Sequence, residues 1–391
     1  MDFFNLSKQE LLDECDKLGI TKCKSKNKGE LIELIQDFTA KKNQNQISKE
    51  ESIKKYKNKD VSSLTLASDE NESNKLKMID LFAGTGAFTL AFQETNAVNV
   101  VFGNDMVEHS KKIYDENFNH KLTLKNLNDV KVEDIPSHDI LTGGFPCQPF
   151  SIAGLQEGFK DARSNVFWKI LSIIDYHQPK CVILENVKNL VSHDDTKTFT
   201  TIKENLQKRG YYLLYKILNT AEITGIPQHR ERIYIVCVKS KEVFDRFSLD
   251  FPKIKKKSVS DFFESNVPDK YYYSDKSSTW NLVKTNVVKK NTIYQYRRVY
   301  VRENKSGECP TLTANMGSGG HNVPIILDDK GIRKLTPREC FNFQGFPVSY
   351  KLPNLSDSNL YKLAGNAVSV PVVKLIANRI VTLLQQDKII T

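Results

Sequence analysis

One stretch gathers the residue types best suited to covalent chemistry, Gly143-Gly144-Phe145-Pro146-Cys147-Gln148-Pro149-Phe150-Ser151. The short run Asp139-Ile140-Leu141-Thr142 before it reads as a buried strand, which puts Cys147 on a loop at that strand's carboxyl end. In open α/β sheets that edge is where ligands bind. The paired glycines let a second molecule approach the backbone closely, and the prolines flanking Cys147-Gln148 stiffen the loop. A thiol held this way suits a nucleophile. The other reading is a buried cysteine in a turn, the commoner fate of this residue type.

Other polar side chains also fall where strands end. Met78-Ile79-Asp80-Leu81-Phe82 reads as a strand, Ala83-Gly84-Thr85-Gly86 as a tight turn, and Ala87 to Phe92 as a helix start. The turn has no third glycine at dinucleotide spacing and no GKS or GKT, which argues against dinucleotide and P-loop sites. A second strand, Val98 to Phe102, leads into Gly103-Asn104-Asp105. A carboxylate there either accepts hydrogen bonds from a ribose or caps the helix expected over Glu108 to Asn117. Asp129, in Asn128-Asp129-Val130 after the next strand-like segment, could accept from an adenine amino group. An amphipathic helix is expected from Val166 to Tyr176, and the strand Cys181 to Leu184 then delivers Glu185. A carboxyl at the end of so apolar a strand is costly unless it is used. Gln228-His229-Arg230-Glu231-Arg232 precedes the apolar Ile233 to Val236, and reads either as a solvated strand end or as two arginines carried to the same edge. Strands alternating with helices predict an α/β fold with a doubly wound, Rossmann-like sheet.

The whole chain has 391 residues, a formal net charge of +10 and a pI near 9.0, which favours an anionic partner. Seven cysteines form no CxxC pair and no metal-ligand spacing with the seven histidines, so no metal site is expected and a reducing compartment is. The chain opens on Met1-Asp2-Phe3-Phe4-Asn5 without a basic leader, and no segment reads as the roughly 18 apolar residues of a membrane span, so an intracellular, soluble protein is expected. Residues 1–40 look like two short helices. Ser7 and Glu10 form a capping box ahead of Leu11, Leu12, Cys15 and Leu18, with Gly19 as a stop; Asn27 and Glu30 start a second helix with Leu31, Leu34, Ile35 and Phe38 inside. Helix, lysine-rich loop, helix is a pattern similar to the SAP family of small DNA-binding modules, which implies phosphate contacts for Lys22, Lys24, Lys26 and Lys28; a plain two-helix structural element is the other reading. Residues 41–76 are rich in Lys, Asn, Gln, Ser and Glu and read as a tether.

From Met78 onward the segments DLFAGTGAF, GGFPCQPFS, LENVKN, QHRERIYIV, RKLTPREC with FQGFP, and GNAVSVPVV stand in the order found in the DNA cytosine-5 methyltransferase family, and the chain resembles a full member. The resemblance implies a catalytic domain over 78–240, a target-recognition domain over 241–345 and a return to the catalytic domain over 346–391. It assigns Cys147 to addition at carbon 6 of cytosine, Glu185 to nitrogen 3, Arg232 to oxygen 2, and Arg230, with the cofactor's sulfonium, to easing ionisation of the thiol. It implies S-adenosyl-L-methionine as methyl donor, held by Phe82, Gly84, Asp105, Met106, Asp129, Val130 and Asn366, with Met106 where relatives often carry a large aromatic. Gly365-Asn366-Ala367 is expected to open the last helix. Double-stranded DNA is the implied partner, contacted by Gln148, Ser151, Arg297, Arg298, Thr311 and Leu312, with the target base swung out of the duplex. Residues 241–302 fit that role, with 14 Lys or Arg against 7 Asp or Glu and interleaved Tyr271, Tyr272, Tyr273, Trp280, Tyr294, Tyr296 and Tyr300. The stretch Cys309 to Asn322 resembles the family's recognition core, its glycines letting backbone enter a groove. A monomer working in a prokaryotic cytoplasm is expected, as the modification enzyme beside a restriction endonuclease for the same site. A tRNA-methylating branch of the family and a DNA-binding factor without catalysis are the rival readings.

Overall fold

A strand covered on both faces has no reason to alternate apolar with polar residues, and the central strands here are apolar almost throughout. In chain order the strands are β1 (Leu76–Leu81), β2 (Val98–Asp105), β3 (Thr123–Leu124), β4 (Ile140–Gly144), β5 (Cys181–Val187), β6 (Tyr212–Asn219), β7 (Gln228–His229), β8 (Glu231–Val238), β9 (Tyr294–Arg297), β10 (Tyr300–Glu303), β11 (Cys309–Pro310), β12 (Ile325–Leu327) and β13 (Ile332–Lys334). This computed structural model describes residues 7–18, 23, 26–32, 35, 75–146, 165–297, 299–318 and 322–390. The chain forms two units, residues 1–73 and 74–391. The predicted helix stop Gly19, Lys22, Lys24, Leu34 and Phe38, and the side chain of Leu18, lie outside the described residues, as do Cys147, Gln148, Ser151 and Arg298.

In the small unit both predicted caps form. Glu10 Oε2 accepts from the Ser7 amide and hydroxyl at 2.7 Å, opening α1 (Lys8–Leu18). Asn27 and Glu30 exchange reciprocal bonds of 2.8 and 3.0 Å at the start of a helical stretch over 28–32. Leu11, Cys15, Cys23, Leu31, Ile32 and Ile35 share one small core.

The main sheet runs β3-β2-β1-β4-β5-β8-β6, the first five strands parallel and β8 antiparallel to both β5 and β6. Its helices are α2 (Ala87–Gln93), α3 (Glu108–Asn117), α4 (Asn165–His177), α5 (Lys197–Lys208) and α6 (Lys241–Arg246), followed late in the chain by α7 (Pro337–Phe343), α8 (Asp357–Asn366) and α9 (Val370–Ile390). Successive residues of β5, Cys181, Val182, Ile183 and Leu184, enter two different cores in turn. One includes Phe88, Val373 and Ile376 of α2 and α9; the other includes Phe167, Ile170 and Ile202 of α4 and α5. The sheet therefore lies between two helical layers, the doubly wound α/β arrangement expected. β1 leads out toward β2 and β3, and the chain then returns to β4 on the other side. The crevice at that reversal, between β1 and β4, is where such sheets hold ligands.

The second sheet, order β10-β9-β12-β13, is antiparallel and has its own core of Val283, Val287, Tyr294, Val301, Ile325 and Ile332. Its last strand is anchored to α7. The buried Arg333 guanidinium meets the buried Glu339 carboxylate at 2.7 and 2.8 Å, and Glu339 also closes the Thr336 capping box. Residues 240–251, by contrast, run along α9: Ser240 Oγ donates to Asp387 at 3.0 Å, and Arg379 donates to the Ser248 carbonyl at 2.8 Å and covers Phe251.

One expectation needs correction here. Gly365 and Asn366 end α8, and α9 begins only at Val370 with Pro371 in its first turn, because the segment between breaks out to hand the Val370 amide to the Gln344 carbonyl at 3.0 Å. The stretch Asp357–Asp387, which takes in α8, the break and most of α9, is apolar and long enough to pass for a membrane span by length and composition alone, a resemblance the sequence reading did not note. Two thirds of its apolar window is buried in the core against α2 and α6, which accounts for its composition.

Candidate active site

The turn after β1 sets the geometry. Phe82, predicted as the strand's last residue, already has φ 55°, and Gly84 and Gly86 follow at 54° and 70°. A side chain at Gly86 would meet the Phe118 ring at 2.2 Å, so α2 can start this close to α3 only on glycine. Asp105 ends β2 and locks the turn: Oδ2 accepts from the Gly84 amide at 2.9 Å and Oδ1 from the Val107 amide at 2.8 Å. Burial raises the Asp105 pKa against the pull of these bonds.

Above the sheet edge lies a cavity of about 400 Å3. Its wall takes Phe82 to Thr85 from the β1 turn, Asp105 to Val107 from β2, Gly144 to Pro146 from β4, Glu185 to Val187 from β5, Arg230 and Arg232 beside β8, and Asn359, Lys362 and Asn366 from α8. Seven predicted site residues thus converge on one space: Phe82, Gly84, Asp105, Met106, Glu185, Arg232 and Asn366, with Arg230 an eighth wall residue. Pro146, the last described residue before Cys147, is part of the same wall. Met106 stands at the rim, 66% exposed.

Antiparallel β8 explains the arginines. In a parallel strand, residues 228–232 would lie at the far edge of the sheet; because β8 runs backwards, its start lies beside the end of β5, with Arg232 opposite Val187 and Tyr234 opposite Glu185. Arg232 Nε is 3.2 Å from Glu185 Oε1, but off the hydrogen-bond line, so among the described residues that oxygen has an ionic neighbour and no hydrogen bond. Burial raises the Glu185 pKa, outweighing Arg232 and Arg230. The carboxyl thus stands in the cavity wall with burial and the neighbouring arginines pulling its pKa in opposite directions.

Arg230 has a structural part as well. It is fully buried, and its Nη atoms donate to three carbonyls, Leu312 at 3.0 Å, Gly365 at 3.4 Å and Ala367 at 2.7 Å. Burial lowers its pKa to about 9, which leaves it charged at neutral pH. Its donors fasten the segment around Leu312 to the end of α8, so it serves as a backbone clamp in the cavity wall. A correction falls on Leu312. Its side chain is 1% exposed, its carbonyl is taken by Arg230 and its amide faces Gln228 Oε1, so it is packed into the protein and not presented at the surface. Thr311 does remain at the surface, its hydroxyl donating to the His229 carbonyl at 2.6 Å. Of the glycines expected to enter a groove, Gly317 instead permits packing: a side chain there would meet the Ser358 carbonyl at 2.4 Å.

Asp129 and Val130 are not in the cavity wall either. The two-residue β3 ends the sheet early, and the chain enters consecutive turns whose apolar residues Leu127, Val130 and Ile135 pack beneath it. Conversely, the sequence reading missed Thr85, His109, Asn359 and Lys362. Thr85 Oγ1 and His109 Nδ1 are buried at the cavity with no partner among the described residues. Asn359, Lys362 and Asn366 follow helical spacing on α8, a signal obscured by placing the helix start at Gly365.

This doubly wound sheet with a ligand crevice at its reversal is the architecture of methyltransferases. The fold matches Entamoeba histolytica methyltransferase EhMeth (TM-score 0.62, 21% identity, covering 78% of this chain and 98% of that one) and S. pombe Dnmt2 methyltransferase (TM-score 0.61, 20% identity, 81% and 99%). The chain belongs to the C-5 cytosine-specific DNA methylase family, whose model matches residues 76–382. Among its relatives are the Type II methyltransferase M.Bsp6I of Bacillus sp. (strain RFL6), 45% identical over 309 residues that cover 78% of this chain and 98% of the relative, and M.HhaI of Haemophilus parahaemolyticus, 35% identical over 314 residues (78% and 94%).

Proposed function

We propose that this DNA cytosine-5 methyltransferase modifies one short duplex sequence through a covalent Cys147 adduct, as the modification enzyme of a restriction-modification pair. The carrying observation is the convergence of Glu185, Arg232 and the β4 end that leads into Cys147 on the cavity that also holds Gly84 and Asp105. The cavity suits S-adenosyl-L-methionine. Asp105 offers its carboxylate at a ribose position, Gly84 leaves room for close approach, and two buried polar atoms, Thr85 Oγ1 and His109 Nδ1, await partners. When bound, that donor supplies a methyl group on an electron-poor sulfonium.

Carbon 5 of cytosine is a poor nucleophile because its electrons belong to the ring. Addition of the Cys147 thiolate at carbon 6 makes carbon 5 enamine-like, so it can take the methyl group; loss of the carbon 5 proton then expels the thiolate and restores the ring. Addition pushes electron density toward nitrogen 3 and oxygen 2. Protonated Glu185 donates to nitrogen 3, and the Arg232 guanidinium stabilises oxygen 2. We assign residues 1–40, in line with their SAP-like pattern, to holding flanking DNA.

Bisulfite sequencing of plasmid recovered from cells that express the protein will identify the site. A duplex with 5-fluorocytosine at that position, which has no carbon 5 proton to lose, should then form a denaturation-resistant adduct with the wild type in the presence of S-adenosyl-L-methionine. Cys147→Ser should form none and transfer no methyl group. Methyl transfer by that variant, or a wild type that never forms the adduct, would refute the covalent route.

A further inference from the structure

The two arginines of the β9–β10 hairpin share one surface with an amide. Cross-strand register puts Arg302 opposite Gln295 and Tyr300 opposite Arg297. Directly opposed residues, and residues two apart on a strand, project from the same face. Gln295, Arg297, Tyr300 and Arg302 therefore occupy one face, while Tyr294, Tyr296 and Val301 pack into the small core on the other. The polar face borders a groove of about 880 Å3, whose wall also includes Thr311, Thr313, Asn315 and His229. His229 is the neighbour of Arg230, so the groove and the catalytic cavity meet within one dipeptide.

Charge and orientation narrow the ligand. The acids of this groove are engaged: Glu303 pairs with Lys289 at 2.9 Å, and Glu308 pairs with Lys256 at 2.7 Å. Arg297 and Arg302 form no ion pair with any described residue. Arg297 Nη2 instead donates to Gln295 Oε1 at 3.0 Å, a bond that biases the guanidinium's orientation and engages only one of its donors. An arginine fork grips phosphate as well as guanine; the amides and hydroxyls set around this one add the donors and acceptors that base edges require.

We propose that the β9–β10 ribbon reads guanine bases in the major groove, with Arg297 oriented by Gln295 as one reader and Arg302 as the second. A two-stranded ribbon fits a major groove about 12 Å wide, and an arginine fork pairs with O6 and N7 of guanine. This rests on duplex DNA as the substrate, and it adds that the recognised site contains G·C pairs beside the target cytosine.

The test is bisulfite sequencing of a plasmid library with randomised flanks around cytosines, methylated by wild type, Arg297→Ala, Arg302→Ala and Gln295→Ala. The wild-type site should contain guanine at fixed offsets. Each arginine variant should lose discrimination at one of those offsets by roughly 5- to 150-fold while the others stay strict. Gln295→Ala should weaken discrimination at the same offset as Arg297→Ala, and Arg297→Lys should not restore it. A site without guanine at a fixed offset overturns the proposal. So does an unchanged site with uniformly weaker methylation and a shallower salt dependence, the behaviour of phosphate contacts. Absence of any cytosine methylation by the wild type would instead refute the enzymatic reading beneath it, and this inference with it. Thermal unfolding of each variant separates lost reading from lost fold.

Discussion

Asp80, beneath the β1 turn, makes protein stability depend on pH in a direction opposite to that of most carboxylates. It is completely buried, and burial lifts its pKa from 3.8 to about 7 despite bonds from Thr89 N at 3.2 Å, Thr89 Oγ1 at 2.9 Å and Thr142 Oγ1 at 2.9 Å. Because the folded pKa lies above the unfolded one, the stabilisation is fully present below pH 3.8 and is lost as pH rises through 7. Between pH 5 and pH 8 the loss integrates to about 2.5 kcal/mol at 1.36 kcal/mol per pKa unit. Asparagine reproduces the protonated acid. Its oxygen keeps both Thr89 bonds and its amide donates to Thr142 Oγ1, which turns its own proton to the Ile79 carbonyl 3.2 Å away. Asp80→Asn should therefore gain about 2.5 kcal/mol relative to wild type on going from pH 5 to pH 8. Urea unfolding of both proteins at the two pH values measures this difference, and all other titrating groups cancel in it. An equal gap at pH 5 and pH 8 would show that Asp80 does not change its protonation on folding, and the reasoning would fail.

Two further perturbations probe other parts of the chain. A Cβ at Gly365 would lie 2.1 Å from the Thr313 carbonyl carbon and 2.5 Å from the Ala314 nitrogen, backbone atoms that cannot swing aside; Gly365→Ala should thus cost on the order of 1–3 kcal/mol in urea unfolding, and an unchanged midpoint would mean the recognition segment is not seated on α8. Removing residues 1–75 should leave a folded enzyme, since the family match begins at residue 76. It should lower DNA affinity and flatten the slope of log affinity against log salt, by about 0.9 for each phosphate that the shortened protein no longer neutralises; fluorescence anisotropy at several salt concentrations reads this, and an identical slope would deny the front segment that task.

What could be read from the sequence was local. Capping at Ser7 and Asn27, the span of α3 and the turn at Gly84 depend on residues within a few positions of one another, so their types carry the information. Phe82, Asp105 and Glu185 were legible for a related reason, since each stands at a strand end and parallel strands share an edge. The clamp that Arg230 makes was not, because its three acceptors lie 82, 135 and 137 residues away and no periodicity reports them. The burial of Leu312 follows from the same clamp. Glycines at 317 and 365 look alike in sequence whether they face a groove or a helix, and only the packing of Ser358 and Thr313 against them tells which.

The reversed strand β8 links these features. Had it continued the parallel order, Arg232 would lie at the opposite edge from Glu185, and the cavity would hold a buried carboxyl with no cation beside it. Reversal brings Gln228 to Arg232 to the ligand edge, where β7 pairs with β11 and places Cys309 beside Gln228 and Pro310 beside His229. From there Thr311 bonds the His229 carbonyl, and the next residue, Leu312, bonds Arg230. Thr311 therefore cannot move in the recognition groove without loosening an acceptor of the guanidinium in the catalytic wall. An unpaired buried guanidinium is costly, so the groove that selects a DNA sequence and the cavity that transfers the methyl group are held in a fixed relation by the backbone between them.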